Sequence, residues 1–435
     1  MSLPPLELLV LPALVILLVG VVTPADQLFP NQFDVYLYFQ NAEALAHGHL
    51  PYSGFPFEYP PLALVPMTVP YLVWPGGPPP FEVYHWLFLG WEAALLVALV
   101  GTLGAIAQRV WPADGSRTVA IRLVVLTIVA APSLAWRFDL FPALLSALAV
   151  LAALQGRAGV AGAAVALGVL AKLYPAVLVP AIVLPWILSR DWQRVAKFAL
   201  VGAAIFVFVA GLVFGLVGDA IWSPITYQNE RGLQAESIGA GLLLLRAVVT
   251  ETPARLTFDH SAVHVAGPWA ERILAIQLPI LIAALGGIAL IAYRRFRVDV
   301  ERLGSIDPAS LVTAVAATIA ALLVTNKVFS VQYVVWLLPF AALLPRRQFW
   351  LFAVIAALSV GIHPLNYDKL IEEQPPVIYL LNVRNALVVG LLGWLAVSLW
   401  RDTKTTPEAD SEIVEVDEEV ARPAGLEPTT FRSAT

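Results

Sequence analysis

Two lone aspartates and a few isolated cations are the residues of this chain best suited to chemistry. Asp34 stands in FDVYLYFQ and Asp139 in WRFDLFP, each among apolar and aromatic neighbours. A carboxylate in such a setting can take the proton from an attacking hydroxyl. Lys172 and Lys327 lie at the edges of apolar runs and Arg231 in a polar loop; cations so isolated can stabilise an anion that forms as a bond breaks. The chain has no cysteine, which excludes disulfides, thiolate metal sites and cysteine nucleophiles. No dense histidine or carboxylate cluster marks a divalent-ion site, so no metal or cofactor is expected.

Each of these residues also has an ordinary reading. Asp34 can be a helix-start carboxylate held by backbone amides, in the first turn of a helix from Phe33 to Ala46. Arg137 and Asp139 can pair with each other and cap a helix, which leaves Asp139 the second choice as a base. Lys172 and Lys327 can snorkel to the membrane surface. Arg231 sits in a polar loop where simple solvation competes with binding. Glu58 can hold its loop, and His363, before Pro364, can be structural. Gln332, Tyr333 and Trp336 can be ordinary helix packing and interface residues.

The elements that must position these groups are membrane helices. Hydrophobic residues make up 59% of the 435, and charged residues 13%. Soluble domains are roughly half apolar and about a quarter charged, so a bilayer must take up the excess. Apolar runs near 6–22, 81–107, 118–134, 137–154, 159–172, 175–189, 195–217, 271–292, 309–325, 328–344, 348–363 and 377–400 predict about twelve spans in an all-α polytopic fold. The first run lacks a basic leader and a small-residue cleavage site, and reads as a retained span. The runs at Lys172 and Lys327 are short and read as broken segments against a cavity.

Charge orients the bundle. Arg109, Arg117, Arg157, Arg190, Arg194, Lys197, Arg294, Arg295, Arg297, Arg302, Arg346, Arg347, Arg401 and Lys404 fall on alternate connections, as the positive-inside bias requires. This places the N-terminus inside and two long loops, 23–80 and 218–270, outside. Residues 1–400 form the membrane domain. The acid-rich tail, 401–435, is expected to be cytoplasmic and disordered. In the first outer loop, Phe33–Ala46 and Leu62–Trp74 read as helices lying along the membrane, the first capped by Gly48 and the second opened by Pro60 and Pro61. No internal repeat is visible.

Four segments carry a family resemblance. They are the first outer loop with Asp34, Gly48, Tyr52, Glu58, Tyr59, Pro60 and Pro61; ALGVLAKLYPAVL around Lys172 and Pro175; YQNERGLQAESIGAGLL with Arg231, Gly232, Gln234 and Ser237; and TNKVFSVQYVVWLLP with Lys327, Ser330, Gln332, Tyr333, Trp336 and Pro339. In their order and common outer sidedness they resemble the GT-C class of membrane glycosyltransferases. The nearer resemblance is to glycosyltransferase family 87, which includes actinobacterial polyprenol-phosphate-mannose-dependent mannosyltransferases.

That resemblance implies an inverting transfer of mannose from a polyprenyl-phosphate sugar to a glycolipid or glycan acceptor hydroxyl, in the cell membrane and facing outward. Asp34 matches the family's first-loop aspartate and is expected to be the catalytic base. Glu58, Tyr59, Arg137, Asp139, Lys172, Arg231, Gln234, Lys327, Gln332, Tyr333 and His363 are expected to bind substrate. Expected partners are the lipid donor, the acceptor and membrane lipids, with no nucleic acid. A secondary transporter or lipid flippase is the competing reading, since many proteins with twelve spans carry cargo. It would need ionisable residues near mid-membrane, and runs such as 195–217 and 377–400 read as nearly free of them. A non-catalytic partner in cell-wall assembly is a third.

Overall fold

A computed structural model of the chain describes residues 6–22 and 25–401. The tail beyond Arg401, for which disorder is expected, lies outside the described residues.

Two helices open the chain, α1 (Leu6–Val22) and α2 (Ala25–Ala46). Gly48 stops α2: at φ +83° it turns the chain so that its own amide and that of His49 close onto the carbonyls of Leu45 and Ala44. After Pro60 a single 3₁₀ turn leads into α3 (Leu64–Leu72), so the prolines open a helix as expected. Then follow α4 (Phe81–Val110), α5 (Gly115–Ala135), α6 (Leu140–Leu154) and α7 (Ala158–Ala171). A 3₁₀ turn, Tyr174–Leu178, precedes α8 (Val179–Leu188), and α9 (Trp192–Val217) comes next.

The second long loop folds as α10 (Ser223–Glu230), β1 (Leu233–Gln234), α11 (Ile238–Thr250), β2 (Arg255–Asp259) and β3 (Ala262–Ala266). The bundle is completed by α12 (Pro268–Leu303), α13 (Pro308–Thr325), α14 (Val334–Ala341), α15 (Arg346–Ile362), α16 (Tyr367–Ile371) and α17 (Pro375–Trp400). The fold is an α-helical polytopic membrane architecture. Among the described residues it also carries a small antiparallel sheet, β1-β3-β2, in which Leu233 faces Val265 and Thr257 faces His264.

Every apolar run singled out in the sequence is helical. Six long helices are apolar enough to cross a membrane by length and composition: α4, α5, α12, α13, α17 and the stretch from Trp192 to Glu230 that begins with α9. Others are shorter. α7 has 14 residues, about 21 Å against a hydrocarbon core of about 30 Å. At its end Lys172 is fully extended, φ −160° and ψ 136°. α13 likewise gives way at Asn326, φ −76° and ψ 141°. Irregular backbone at such depth survives only when buried in protein or lining a polar cavity, and both breaks line one.

Asp34 departs from expectation. It lies nine residues past Ala25, well inside α2. The residues upstream of Phe33 join the helix, so the dipole argument for this carboxylate falls away, because that effect is confined to the first turn.

The core runs through the bundle around α13, whose residues from Ser310 to Leu323 are almost all buried, with a second cluster under the second long loop around Leu233, Leu244, Val263 and Leu381. α7 and α9 meet backbone to backbone. A Cβ on Gly162 would run into the carbonyl of Phe198, and one on Gly202 would lie 3.1 Å from the carbonyl of Gly162. Gly162→Val should therefore push the two helices apart and cost about 3 kcal/mol, at the upper end for overpacking. Gly286→Ala, with nothing within 4 Å of its new methyl, should be neutral. Thermal midpoints of the two purified variants check this; equal midpoints would contradict the close approach.

Candidate active site

One cavity of about 640 Å³ lies where the connections at one end of the bundle converge. Its wall includes all twelve residues singled out from the sequence: Asp34, Glu58, Tyr59, Arg137, Asp139, Lys172, Arg231, Gln234, Lys327, Gln332, Tyr333 and His363. They come from seven separate stretches of chain, most of them at or beside helix ends, with Asp34 from within α2.

The first long loop delivers Asp34 from α2, and Glu58 and Tyr59 from the turn that follows. That turn is fixed by Tyr52, which adopts a left-handed backbone (φ +71°) and donates its hydroxyl to the carbonyl of Tyr59 at 2.8 Å. The link between α5 and α6 delivers Arg137 and Asp139. They do not pair with each other, contrary to the sequence-based expectation. Residues two apart at a helix start point in different directions. Arg137 Nη1 instead reaches Asp34 Oδ2 at 2.7 Å, and Asp139 Oδ1 accepts from Lys172 Nζ at 2.6 Å.

Asp139 Oδ1 also accepts from the Trp336 indole at 2.5 Å, and Asp139 is buried. Lys172 therefore neither snorkels nor stands free. Its ammonium sits 4.8 Å from the Phe138 ring and 5.5 Å from that of Trp336, with Tyr333 and Tyr59 just beyond. Trp336 is stacked between Tyr174, at 4.4 Å, and Tyr333, at 3.8 Å. The result is a rigid aromatic wall.

The same cavity is also lined by two cations without ion-pair partners among the described residues. Lys327, on the break after α13, donates to the carbonyls of Asn229 and Arg231 at 2.9 and 2.7 Å. Arg231 caps α10 and lies 5.8 Å from the Tyr227 ring, and its Nε has no hydrogen-bond partner among the described residues. Arg231 is half-buried, so plain solvation does not describe it. Burial and the neighbouring guanidinium both push the Lys327 ammonium below its ordinary range. Burial likewise raises the Asp34 carboxyl, against the pull of Arg137. Gln332 and His363 complete the lining; the His363 ring meets Tyr367 edge-on at 4.8 Å.

Other cavity-lining groups were not singled out in the sequence as site residues. Glu236 is buried, and its carboxyl is raised to about 7 by burial, against the pull of Arg384 and the Val331 amide. Arg384 itself lies behind this wall in α17, so that span is not free of charge at depth; its guanidinium donates to the Glu236 carbonyl at 2.8 Å and covers the Phe329 ring at 4.1 Å. A lone arginine in the run 377–400 was the signal that could have found it. Tyr38, His260 and Tyr367 also line the cavity, and Ser330 does so beside Gln234. Among the described residues no group of three histidine or acidic side chains is placed to hold a metal.

No family model matches the chain, and no curated protein matches it. Among solved structures it is similar to the crystal structure of the Archaeoglobus fulgidus oligosaccharyltransferase in its apo form, at 13% identity and a TM-score of 0.45. The match covers 91% of this chain and 56% of that one, so this chain spans little more than half the length of that protein.

Removing one partner of a buried pair strands the other charge, at about 3–5 kcal/mol. Asp139→Asn and Lys172→Met should each lower the thermal midpoint clearly. The double variant should recover part of the loss, because no charge is left alone. Additive losses would mean that the two side chains do not pair.

Proposed function

We propose that this chain is an integral-membrane glycosyltransferase that moves a mannosyl or related hexosyl residue, with inversion, from a polyprenyl-phosphate donor to an acceptor hydroxyl on the outer face of the cytoplasmic membrane. The acceptor is the hydroxyl of a glycolipid or glycan of the cell envelope. The observation that supports the reading is the make-up of one cavity: it is lined both by the Asp34 carboxylate, held by Arg137, and by Arg231 and Lys327, two cations with no ion-pair partner among the described residues. The motif resemblance in the same residues adds to it.

The chemistry follows from that make-up. The acceptor oxygen attacks the anomeric carbon, and Asp34 takes its proton. The bond from the anomeric carbon to phosphate oxygen breaks, and Arg231 and Lys327 stabilise the departing phosphate. Arg137 holds Asp34 in place and favours its ionised form. Glu58, Tyr59, Gln332, Tyr333 and His363 offer the remaining polar and ring surface for the sugars.

The donor needs a path for its lipid, and an apolar hollow of about 310 Å³ provides one. It lies between Ala176, Val177, Pro180 and Ala181 on one side and Leu285, Ala289 and Ala292 on the other, and it shares Val177 with the polar cavity.

Radiolabelled sugar transfer from a polyprenyl-phosphate mannose, measured per mole of monodisperse protein, tests the reading. Asp34→Asn should lose about 10²–10⁴ in rate while still binding donor. Lys327→Ala should weaken donor binding by about 1.5–3 kcal/mol. Because burial raises Asp34, the rate should fall on acidification above the range of an ordinary carboxylate, as the base becomes protonated. Full activity in Asp34→Asn would move the chemistry to Asp139. Movement of labelled lipid across the membrane without transfer would favour a transporter.

The facing is tested separately in the cysteine-free chain. Ser53→Cys should react with an impermeant thiol reagent in intact cells, and Ser305→Cys only after permeabilisation. The reverse pattern would turn the cavity toward the cytoplasm.

A further inference from the structure

Beside the two free cations lies a pair of side chains that the mechanism above does not use. Gln234 follows Arg231 by three residues, and Ser330 follows Lys327 by three. The two segments are joined: the Gln234 amide donates to the Lys327 carbonyl at 3.0 Å. The Gln234 side-chain nitrogen donates twice, to Ser330 Oγ at 2.6 Å and to Glu236 Oε2 at 2.8 Å. Both of its hydrogens are thereby used, which fixes the amide so that its oxygen points elsewhere.

What remains are two oxygens, Gln234 Oε1 and Glu236 Oε1. Both belong to buried side chains that line the cavity, and neither has a hydrogen-bond partner among the described residues. Such acceptors are costly to leave unpaired, and buried groups of this kind are rare without a reason. Their segment is held firmly from behind. Arg384 Nη2 donates to the Glu236 carbonyl, the Ala235 amide to the Val263 carbonyl, and the Ser237 hydroxyl caps α11 by accepting from the Ala240 amide. The frame is rigid and its unmet demand is for donors.

We propose that Gln234 and Glu236, tied to Ser330 and backed by Arg384, form the subsite that reads the hydroxyls of the transferred sugar. A sugar esterified to a phosphate held by Arg231 and Lys327 would lie within reach of this pair, because the Gln234 backbone amide is bonded to the Lys327 carbonyl and all four residues line one cavity. Its hydroxyls are donors, and two fixed acceptors select a ring that presents two of them together. A site that hydrogen-bonds a substrate hydroxyl rejects an analogue lacking it far more strongly than a site reading shape alone. The inference rests on the proposed lipid-phosphate reading of the cavity and deepens it.

The test separates the two. Binding of a C50 polyprenol is measured for its mannosyl, glucosyl and arabinofuranosyl phosphodiesters, and for its methyl phosphodiester, which has the same charge and no sugar. The wild type should prefer one glycosyl ester over the methyl ester by about tenfold or more. Glu236→Ala and Gln234→Ala should reduce that preference to about twofold or less while leaving methyl-ester binding unchanged, which also shows that they fold. Glu236→Gln should fall between. Variants that bind the methyl ester normally and keep the full sugar preference would overturn the inference. So would parallel loss of both probes, which would make the pair scaffold, and a wild type indifferent to the sugar. A wild type that binds no ester would overturn the lipid-phosphate reading and this inference with it, whereas loss of sugar preference alone leaves that reading intact.

Discussion

Three helices meet at one oxygen. Asp139 Oδ1, at the start of α6, receives the ammonium of Lys172 from the end of α7 and the indole of Trp336 from α14. The cavity depends on this junction. Without a carboxylate there, the extended backbone at Lys172 would bring a charge into the bundle with no partner, which membrane interiors do not tolerate. With it, the break in the helix becomes a fixed wall, and the stack of Tyr174, Trp336 and Tyr333 is locked into one orientation. The other ion pair, Asp34 with Arg137, then faces into a space whose far side is already rigid.

Much of the helix layout was legible because hydrophobic runs are a property of the chain alone. The helix at 158–171 ends one residue before Lys172, as a cation after an apolar run suggests, and Gly48 ends α2 where only a positive φ fits. Many of the residues that line the cavity were also legible, through the four motif segments that carry the resemblance. Their partnerships were not. Arg137 and Asp139 are two apart in sequence and look like a pair, yet each finds its partner on another helix, 103 and 33 residues away. Pairing of that kind is decided by packing angles that no local pattern records. Glu236 and Arg384 escaped for a related reason: each looks ordinary in its own segment and acquires meaning only when α17 is set behind the loop.

The two ends of the bundle differ in what their charges do. At the end opposite the cavity Arg122 is folded inward, donating to the carbonyls of Ala342 and Leu344 and lying between the rings of Trp111 and Phe349. Arg295 and Asp299 pair along one face of α12 at 2.9 Å. These contacts close connections. At the cavity end, cations line the cavity, and two of them have no ion-pair partner among the described residues.

On the proposed reading, that arrangement has an electrical consequence. The donor is a phosphodiester with one negative charge, and the departing polyprenyl phosphate carries two. Asp34 begins as an anion and ends protonated. The total charge in the cavity is therefore the same before and after transfer, but one unit of negative charge has moved from Asp34 to the phosphate at Arg231 and Lys327. Arg137 is left facing a neutral acid, and the two free cations gain the counter-charge they lacked. On that reading transfer leaves the total charge of the cavity unchanged and only relocates it, as one charge passed between two fixed electrodes.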